Sequence, residues 1–405
     1  MAEGRPLRFV AMRPPLPVAD ALAAVTHPNP YPFYAALVRA RPLYRDTGLG
    51  LWVASGAQAV TSTLQSPLCR VRPRAEPVPA HLLPGASRRL FGRLLRMTDG
   101  ERHAPLRHAV ASTLASVDAS HALAVSRASA LALERTTLHR ADVRGVRDFV
   151  VQLPLHVLGT LLGLSETRFL FLLRAVEDYV GAFAPGPSVE RLAGASTSAA
   201  ALLELLGAEV ARARGDGLLG RLAAEVSGTG PEWREVVVAN AVGFLTQAHE
   251  ATCGLLGNAL LVLAERPALR RTLREAPELL EAALAEVLRY DAPVQNTRRF
   301  VAEDGVVAGE PMREGDAILV VLAAANRDPT ANPRPHRFEL HRPARRTFGF
   351  GRGLHECPGQ ALSVAIARAG VERILSTGVQ LSLLHKDVRR RPSFNLRIPA
   401  FEEGQ

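Results

Sequence analysis

Helical periodicity is the feature that most limits what this chain of 405 residues can fold into. Apolar residues recur every three or four positions through most of the sequence, as they do along the buried face of a helix. This pattern predicts helices over residues 32–41, 101–116, 149–162, 165–183, 189–214, 232–265, 267–276 and 277–290. A last helix is expected to begin at Pro358, because proline is favoured in a first turn, and to end near Gly378.

Strand patterns are short and few. They are expected at residues 51–53, 298–301 and 317–321, with weaker patterns near 379–384 and 394–398. Residues 70–85, which include four prolines, and residues 326–353 favour loops. Loops of that length inside a compact protein are usually functional. No repeat or linker interrupts the chain, so we expect one large domain, mainly α with small β-sheets.

Composition and charge exclude several classes of function. The net charge is +10, and only one of the 49 basic residues, Lys386, is a lysine, which is typical of a GC-rich genome. The arginines are scattered and not interleaved with aromatic residues, so no nucleic-acid partner is expected. No apolar run approaches the ~20 residues that span a bilayer. The first 15 residues lack the apolar core of a signal peptide. We therefore expect a cytoplasmic protein with no membrane partner.

The three cysteines do not form a disulfide or zinc pattern. Cys253 and Cys69 are interpreted as small buried side chains. Cys357 differs, because residues 350–359 (FGRGLHECPG) form a glycine-rich loop that places it at the start of a helix. Backbone amides and the helix dipole favour a thiolate there. A single cysteine in the loop argues against an iron–sulfur cluster, so Cys357 is a candidate axial ligand of haem iron.

This run resembles the cysteine loop of the cytochrome P450 superfamily, the haem-thiolate monooxygenases, and further motifs match in order along nearly the whole chain. The resemblance implies a single P450 domain over residues 1–405, with haem b (iron protoporphyrin IX) between a long distal helix and the cysteine loop. Cys357 would bind the iron, and Phe350, Gly351 and Gly359 would lie against the cofactor.

Two other groups of residues match the family. Glu286 and Arg289 match its glutamate–arginine pair and Arg342 completes that network, which is structural rather than catalytic. The resemblance also implies that four cationic side chains hold the haem propionates: His103, Arg107, Arg299 and His355. Charge-assisted hydrogen bonds are the expected means.

The predicted helix over residues 232–265 resembles the distal helix of the family, but its centre departs from the family pattern. Glu250 matches the acid, whereas Ala251 replaces the usual oxygen-facing threonine and Gln247 replaces a small residue. Thr252 is one position late, which turns it by ~100° around the helix. The hydroxyl that normally orders water beside dioxygen is therefore missing or moved.

The predicted catalytic group is Glu250 with one further member of a proton relay. The candidates are Thr252 after a helix distortion, the Gln247 amide with water, or a hydroxyl of the substrate. Such a further member is necessary because Ala251 lacks the hydroxyl of the usual threonine. Sequence drift in a helix that works with water alone remains an alternative. His249, beside the acid, is interpreted as structural.

In this family three segments enclose the substrate, here residues 72–96, 169–191 and 293–297. The first contains Arg72, Arg74, Arg88 and Arg89, which we interpret as solvated charges, with contact to an acidic substrate as the alternative. Apolar residues of the second recur at helical spacing and are expected to pack in the core. We expect a small or medium apolar metabolite of a biosynthetic pathway. The alternatives are a peroxide-using or coupling P450, or a non-catalytic haem protein that recruits or senses a partner.

Electrons must come from another protein, because the chain has no nicotinamide or flavin fingerprint and no iron–sulfur cysteines. The resemblance implies a ferredoxin with its ferredoxin reductase. The basic excess suits docking of an acidic ferredoxin on the cysteine side, where Arg352 and Arg368 are expected.

Overall fold

The computed structural model describes residues 17–213, 215, 217–228, 230–384 and 388–401. Helices dominate it, as the apolar periodicity predicts. They are α1 (Tyr31–Ala40), α2 (Ala57–Gln65), α3 (Ala86–Gly92), α4 (His103–Ala115), α5 (Ala119–Thr137), α6 (Val143–Leu161), α7 (Phe169–Gly181), α8 (Val189–Arg212), α9 (Leu218–Val226), α10 (Trp233–Glu265), α11 (Pro267–Glu275), α12 (Leu280–Tyr290), α13 (Leu322–Asn326) and α14 (Gln360–Ser376).

Helix α10, of 33 residues, runs through the core and packs against α6, α8, α9, α12 and α14. Most of its side chains are buried on every side, which is typical of a helix enclosed by others. Gly254 lets a neighbouring segment approach closely, because a Cβ there would lie only 2.7 Å from Cβ of Pro293. The helix therefore lies directly beside the chain that follows α12.

The strands form two small sheets at one side of the helices. They are β1 (Leu43–Asp46), β2 (Leu51–Ala54), β3 (Cys69–Arg70), β4 (Thr297–Val301), β5 (Gly305–Val307), β6 (Glu310–Met312) and β7 (Ala317–Val320). In the described residues the larger sheet has the order β1-β2-β7-β4-β3. Only β2 and β7 pair in parallel within it, and β5 and β6 form a separate hairpin. Strand β4 carries Arg299 towards the candidate site.

Most predicted helices are confirmed, with shifts that have local causes. Helix α6 begins at Val143, before the predicted residue 149, because the Asp142 side chain caps it by accepting a hydrogen bond from the Gly145 N–H at 2.7 Å. Helix α14 begins at Gln360, two residues after the predicted Pro358. The long loop predicted after residue 326 is confirmed, since no helix or strand occurs there before the turn at Gly353–His355.

Two predicted strands are wrong. Residues 381–383 form a 3₁₀ turn that buries Leu381 and Leu384 in the core. Residues 394–398 make only an isolated bridge, between Leu396 and Val294, and prolines flank this segment on both sides. Helix α5, whose first turn is capped by Asp118, was not predicted because alanine and serine dilute its apolar pattern.

Candidate active site

The loop before α14 presents Cys357 from two tight turns. The Cys357 N–H donates a hydrogen bond to the Phe350 carbonyl at 2.9 Å, and the Gly351 N–H donates to the Phe348 carbonyl at 2.8 Å. Gly351 and Gly353 have φ angles of 73° and 74°, a left-handed region that other residues rarely adopt. The backbone of the loop therefore requires these glycines, and they fix the cysteine just before the helix.

The Cys357 thiol is half-buried, and its surroundings act on its protonation in opposite directions. Burial raises the pKa of the thiol, while the Gly359 N–H and the charges of Arg107 and Arg96 oppose this rise. The backbone amide at the start of the helix thus lowers the pKa of the thiol, as predicted, but desolvation raises it by more. A metal cation at the sulfur would reverse the balance, because a coordinating thiol loses its proton. This environment suits a metal ligand better than a free nucleophile.

The four cationic side chains predicted to bind propionates lie together beside the cysteine loop. The ring centroids of His103 and His355 are 4.3 Å apart, and the charge of Arg107 acts on His103. His355 Nε2 lies 3.0 Å from Asp99 Oδ1, and buried Arg299 lies close enough to Asp99 to be stabilised by its charge. Residues from α4, β4 and the cysteine loop therefore form one positively charged cluster.

Two side chains of this cluster, those of His103 and Arg107, have no hydrogen-bond partner among the described residues. His103 Nε2 is buried without a hydrogen bond there. Burial, then the nearby charge of His355, lowers the pKa of His103 to about 4, so its ring is neutral at pH 7. The half-buried guanidinium of Arg107 makes no hydrogen bond or ion pair within the described part of the chain. Since buried polar atoms without partners are costly, a ligand that bonds to both would stabilise the cluster.

Asp99 belongs to this cluster and was not predicted. Its carboxylate holds His355 through Oδ1 and accepts a hydrogen bond from the Val71 N–H at 2.9 Å through Oδ2. Burial alone would raise the pKa of Asp99, but the bonds from His355 and Val71 lower it. His355 is 256 residues away in sequence, so no local spacing could have indicated this contact.

One strip of α10 is partly accessible although the helix lies in the core. Its residues are Phe244, Gln247, Ala248 and Ala251. Positions spaced by three and four residues share a helical face, so these four side chains form one strip that the neighbouring elements leave partly uncovered. Thr252 lies outside it: its side chain is buried, and its hydroxyl is 3.4 Å from the Ser363 hydroxyl on α14.

Glu250 is half-buried at the edge of this strip. Burial raises the pKa of its carboxyl group, and the positive charges of Arg391 and Arg96 oppose the rise. Arg96 also acts on the Cys357 thiol. The charge of Arg96 thus interacts with both Glu250 on α10 and Cys357 on the loop, which places these three side chains near one another.

His249 faces away from this space and joins α10 to α6. Its Nε2 lies 2.9 Å from the Val151 carbonyl oxygen, and burial lowers its pKa to about 4. The Cys253 thiol lies 3.3 Å from the Val150 carbonyl. Both side chains are fully buried, in agreement with their structural interpretation.

Glu286 on α12 is the centre of a buried ion network. Nitrogen–oxygen distances of 2.8, 3.1 and 2.9 Å join it to Arg289, Arg342 and Arg345. Burial would raise the pKa of Glu286, but its hydrogen bonds, first that from Arg289, hold it below the ordinary value. The predicted three-residue network is present, and Arg345 is an additional member. It ties α12 to the long loop that leads to Cys357.

Comparisons with known proteins agree with this geometry. The model of the family described as cytochrome P450 matches residues 233–377, which run from α10 through α14. The chain is 30% identical over 335 residues to the 20-oxo-5-O-mycaminosyltylactone 23-monooxygenase of Streptomyces fradiae, covering 82% of this chain and 78% of that protein. The chain belongs to the cytochrome P450 family.

Solved P450 structures have the same fold. The crystal structure of CalO2 superimposes with a TM-score of 0.79 at 27% identity, covering 92% of this chain and 94% of that one. P450BioI, solved in complex with hexadec-9Z-enoic acid ligated acyl carrier protein, gives a TM-score of 0.80 at 22% identity over 92% and 97% of the two chains. The named relatives include monooxygenases and hydroxylases, and the chain is a P450 monooxygenase that acts on a small molecule.

Cytochromes P450 bind haem, iron protoporphyrin IX, and the residues of this P450 fit that group. Among the described residues, the Nε2 of His103 and the guanidinium of Arg107 have no partner, and two carboxylates would provide them. The Gly359 backbone lies beside the sulfur, since a Cβ at that position would be 3.9 Å from Cys357 Sγ. The donor set, one thiol and several cations, matches an iron porphyrin with acidic side groups.

The predicted pocket walls have different environments in the P450 structure. The apolar face of α7, including Leu172 and Val176, packs in the core, as predicted. Arg72 departs from its predicted role as a solvated charge, because it is half-buried and burial lowers its pKa.

Among the described residues, no helix combines the length and apolar character needed to cross a bilayer.

Proposed function

We propose that this P450 uses Cys357 as the axial thiolate ligand of haem b and oxidises a small or medium-sized apolar metabolite in a biosynthetic pathway, with residues 1–405 forming one P450 domain. The observation that carries the proposal is that Cys357, fixed by the Phe350 carbonyl and left-handed glycines, and Glu250 on α10 both interact with the charge of Arg96. When bound, haem supplies reductive activation of dioxygen, from which one oxygen atom is transferred to substrate.

The chain's own residues position the cofactor. His103, Arg107, Arg299 and His355 bind the two propionates by charge-assisted hydrogen bonds, and Asp99 orients His355. Phe350, Gly351 and Gly359 shape the side of the pocket that holds the sulfur. The ion network around Glu286 holds the long loop that precedes Phe350.

Proton delivery begins at Glu250. Burial raises the pKa of this carboxyl group, which makes its protonated form more accessible near neutral pH. Ala251 offers no hydroxyl, and the Thr252 hydroxyl lies against Ser363 rather than on the accessible strip. The Gln247 amide with water, or a hydroxyl of the substrate, then completes the relay. This arrangement supports oxidation that depends on the substrate's own polar groups.

Replacing Ala251 by threonine should raise the fraction of electrons that end in product by at least about threefold, because it returns a hydroxyl to the strip beside Glu250. The measurement compares reductant consumed with product and peroxide formed. Ala248→Ser, on the same strip, is the matched control for a hydroxyl at another position. Unchanged coupling in Ala251→Thr would mean that the helix works with water alone.

A ferredoxin, reduced by its ferredoxin reductase, is the proposed electron donor. Arg352 lies in the cysteine loop and is half-exposed, with its guanidinium 5.0 Å from the centre of the Phe348 ring. Arg368 on α14 is also half-exposed, but it is paired with Glu372 at 3.0 Å. Arg352 is therefore the freer of the two for an acidic partner.

Arg352→Glu should slow the first electron transfer about tenfold at low ionic strength, because it reverses a charge at the docking surface. Stopped-flow reduction by ferredoxin measures the rate, and substrate affinity should not change. Arg89→Glu, exposed on α3 at another surface, is the control. An unchanged rate in Arg352→Glu would place the docking surface elsewhere.

Turnover under labelled dioxygen tests the proposed function. Ligands found by a spin-state screen are supplied with ferredoxin, its reductase and labelled dioxygen, and we expect a product that carries one labelled oxygen atom. Product formed with peroxide but not with reductant would indicate a peroxide-using enzyme. Reductant consumption that no bound ligand increases would indicate a haem protein without turnover.

A further inference from the structure

Arg96 lies in the segment between α3 and α4, which is clamped at both ends. Asn240 of α10 accepts a hydrogen bond from the Leu95 N–H at 2.9 Å and donates one to the Arg93 carbonyl at 3.0 Å. On the other side of Arg96, Asp99 is bonded to the cation cluster and to the chain before α3. The backbone at Arg96 is therefore held between the distal helix and the cysteine loop.

The Arg96 side chain lies close enough to Glu250 on the distal helix and to Cys357 on the cysteine loop for their charges to act on it. It is accessible, but it makes no hydrogen bond or ion pair in the described part of the chain. Desolvation by neighbouring protein atoms lowers the pKa of its guanidinium group, and the negative charges of Cys357 and Glu250 only partly offset this effect. The charge of Glu250 also interacts with Arg391. A partly desolvated cation of this kind is stabilised by an anion that pairs with it.

The cofactor's carboxylates do not require Arg96. Four other side chains, those of His103, Arg107, Arg299 and His355, already converge on the region proposed for two propionates. Burial, and then repulsion by Arg96, lowers the pKa of Arg299. Arg96 is therefore available to a negative group other than the propionates.

Two more guanidinium groups lie at or next to segments expected to border the pocket: Arg72 begins the first segment, and Arg298 directly follows residues 293–297. Arg72 is 5.9 Å from the centre of the Phe300 ring, and Arg298 is 5.9 Å from that of Phe394. Burial lowers the pKa of both, and their mutual repulsion adds to the effect on Arg72. Arg72 has a partner in Glu76 at 3.5 Å, whereas Arg298 donates no hydrogen bond within the described residues. The border thus combines aromatic surface with positive charge.

We propose that Arg96 binds a carboxylate of the substrate, so that this P450 oxidises metabolites with an apolar body and one acidic group. The proposal rests on the proposed function and names its substrate class. Arg72 and Arg298 attract the anion towards the pocket. Arg96 then fixes the acidic end, and the apolar body packs against the accessible strip of α10.

Matched acids and amides test this proposal in the haem-loaded protein. The probes are straight-chain carboxylic acids of eight to sixteen carbons and phenylalkanoic acids, each with its primary amide. Binding is measured by the change in the spin state of the haem iron. Equilibrium dialysis is used for ligands that bind without changing the spin state. We expect the acids to bind at least about tenfold more tightly than their amides, since hydrogen bonds to charged groups contribute that much. Arg96→Gln should remove this preference and leave amide affinity unchanged.

Arg102→Gln, an exposed arginine shortly after Arg96, is the control and should keep the preference for acids. Equal affinity of acids and amides in the unmodified protein would overturn the proposal. An unchanged acid preference in Arg96→Gln, with loss of haem content, would assign Arg96 to a propionate and also overturn it. Failure of the proposed function is detected by a different measurement. The absorption spectrum of the reduced, carbon-monoxide-bound protein would then lack the band of thiolate ligation.

Discussion

Substituting serine for Cys357 should abolish monooxygenase activity, by at least about 10³-fold, while the protein still folds. A serine hydroxyl stays protonated where a cysteine coordinates iron as a thiolate, so the electron-donating ligand is lost. The backbone of the loop should not change, because its hydrogen bond to the Phe350 carbonyl comes from the main-chain N–H of residue 357. Turnover and haem content of the purified variant measure the effect.

Cys69→Ser is the matched control, because Cys69 is a half-buried free thiol on β3 and does not belong to the cysteine loop. It should keep both haem and activity. Near-normal turnover in Cys357→Ser would show that sulfur at this position is not the ligand.

Replacing Glu286 by glutamine should lower the free energy of unfolding by about 3–5 kcal/mol, because it leaves buried arginines without a counter-charge. The side chains of Glu286 and Arg289 are 0% exposed and that of Arg342 is 2% exposed. Urea denaturation measures the loss, and haem retention should fall with it, since the network holds the loop before Cys357.

The pH dependence gives a second readout for Glu286. Its pKa in the folded protein is held below the ordinary value, so its contribution is present at neutral pH and lost as the pH falls. The glutamine variant should therefore lose less stability on acidification. Glu281→Gln is the control on the same helix, where the side chain is 72% exposed. Equal stability of Glu286→Gln and the unmodified protein would contradict a structural role.

The parts of the fold with strong apolar periodicity could be predicted from sequence. Helix α10 ends at Glu265, the last residue of the predicted apolar pattern. Its side chains are mostly apolar, so the pattern alone indicates that the helix is buried. Helix α5 was missed, since its alanines and serines bury little apolar surface and its position depends on packing against α14 and α6. The wrong strand at residues 394–398 had the composition of a strand but only a single bridge to pair with.

The candidate site could be predicted where its residues form local motifs. Cys357 and the glycines around it share one short run, and Glu286 and Arg289 share one helix face. Asp99 and Arg96 carried no such signal, because their neighbours in the site come from α10 and the cysteine loop, which are distant in sequence. The electrostatic character of a pocket arises only when these segments meet.

The bond between the Cys357 sulfur and haem iron is tested most directly by the absorption spectrum of the reduced, carbon-monoxide-bound protein. We expect the red-shifted Soret band that thiolate ligation gives. A band at the position of histidine-ligated haem, or a protein that takes up no haem when haem is supplied in excess, would contradict it.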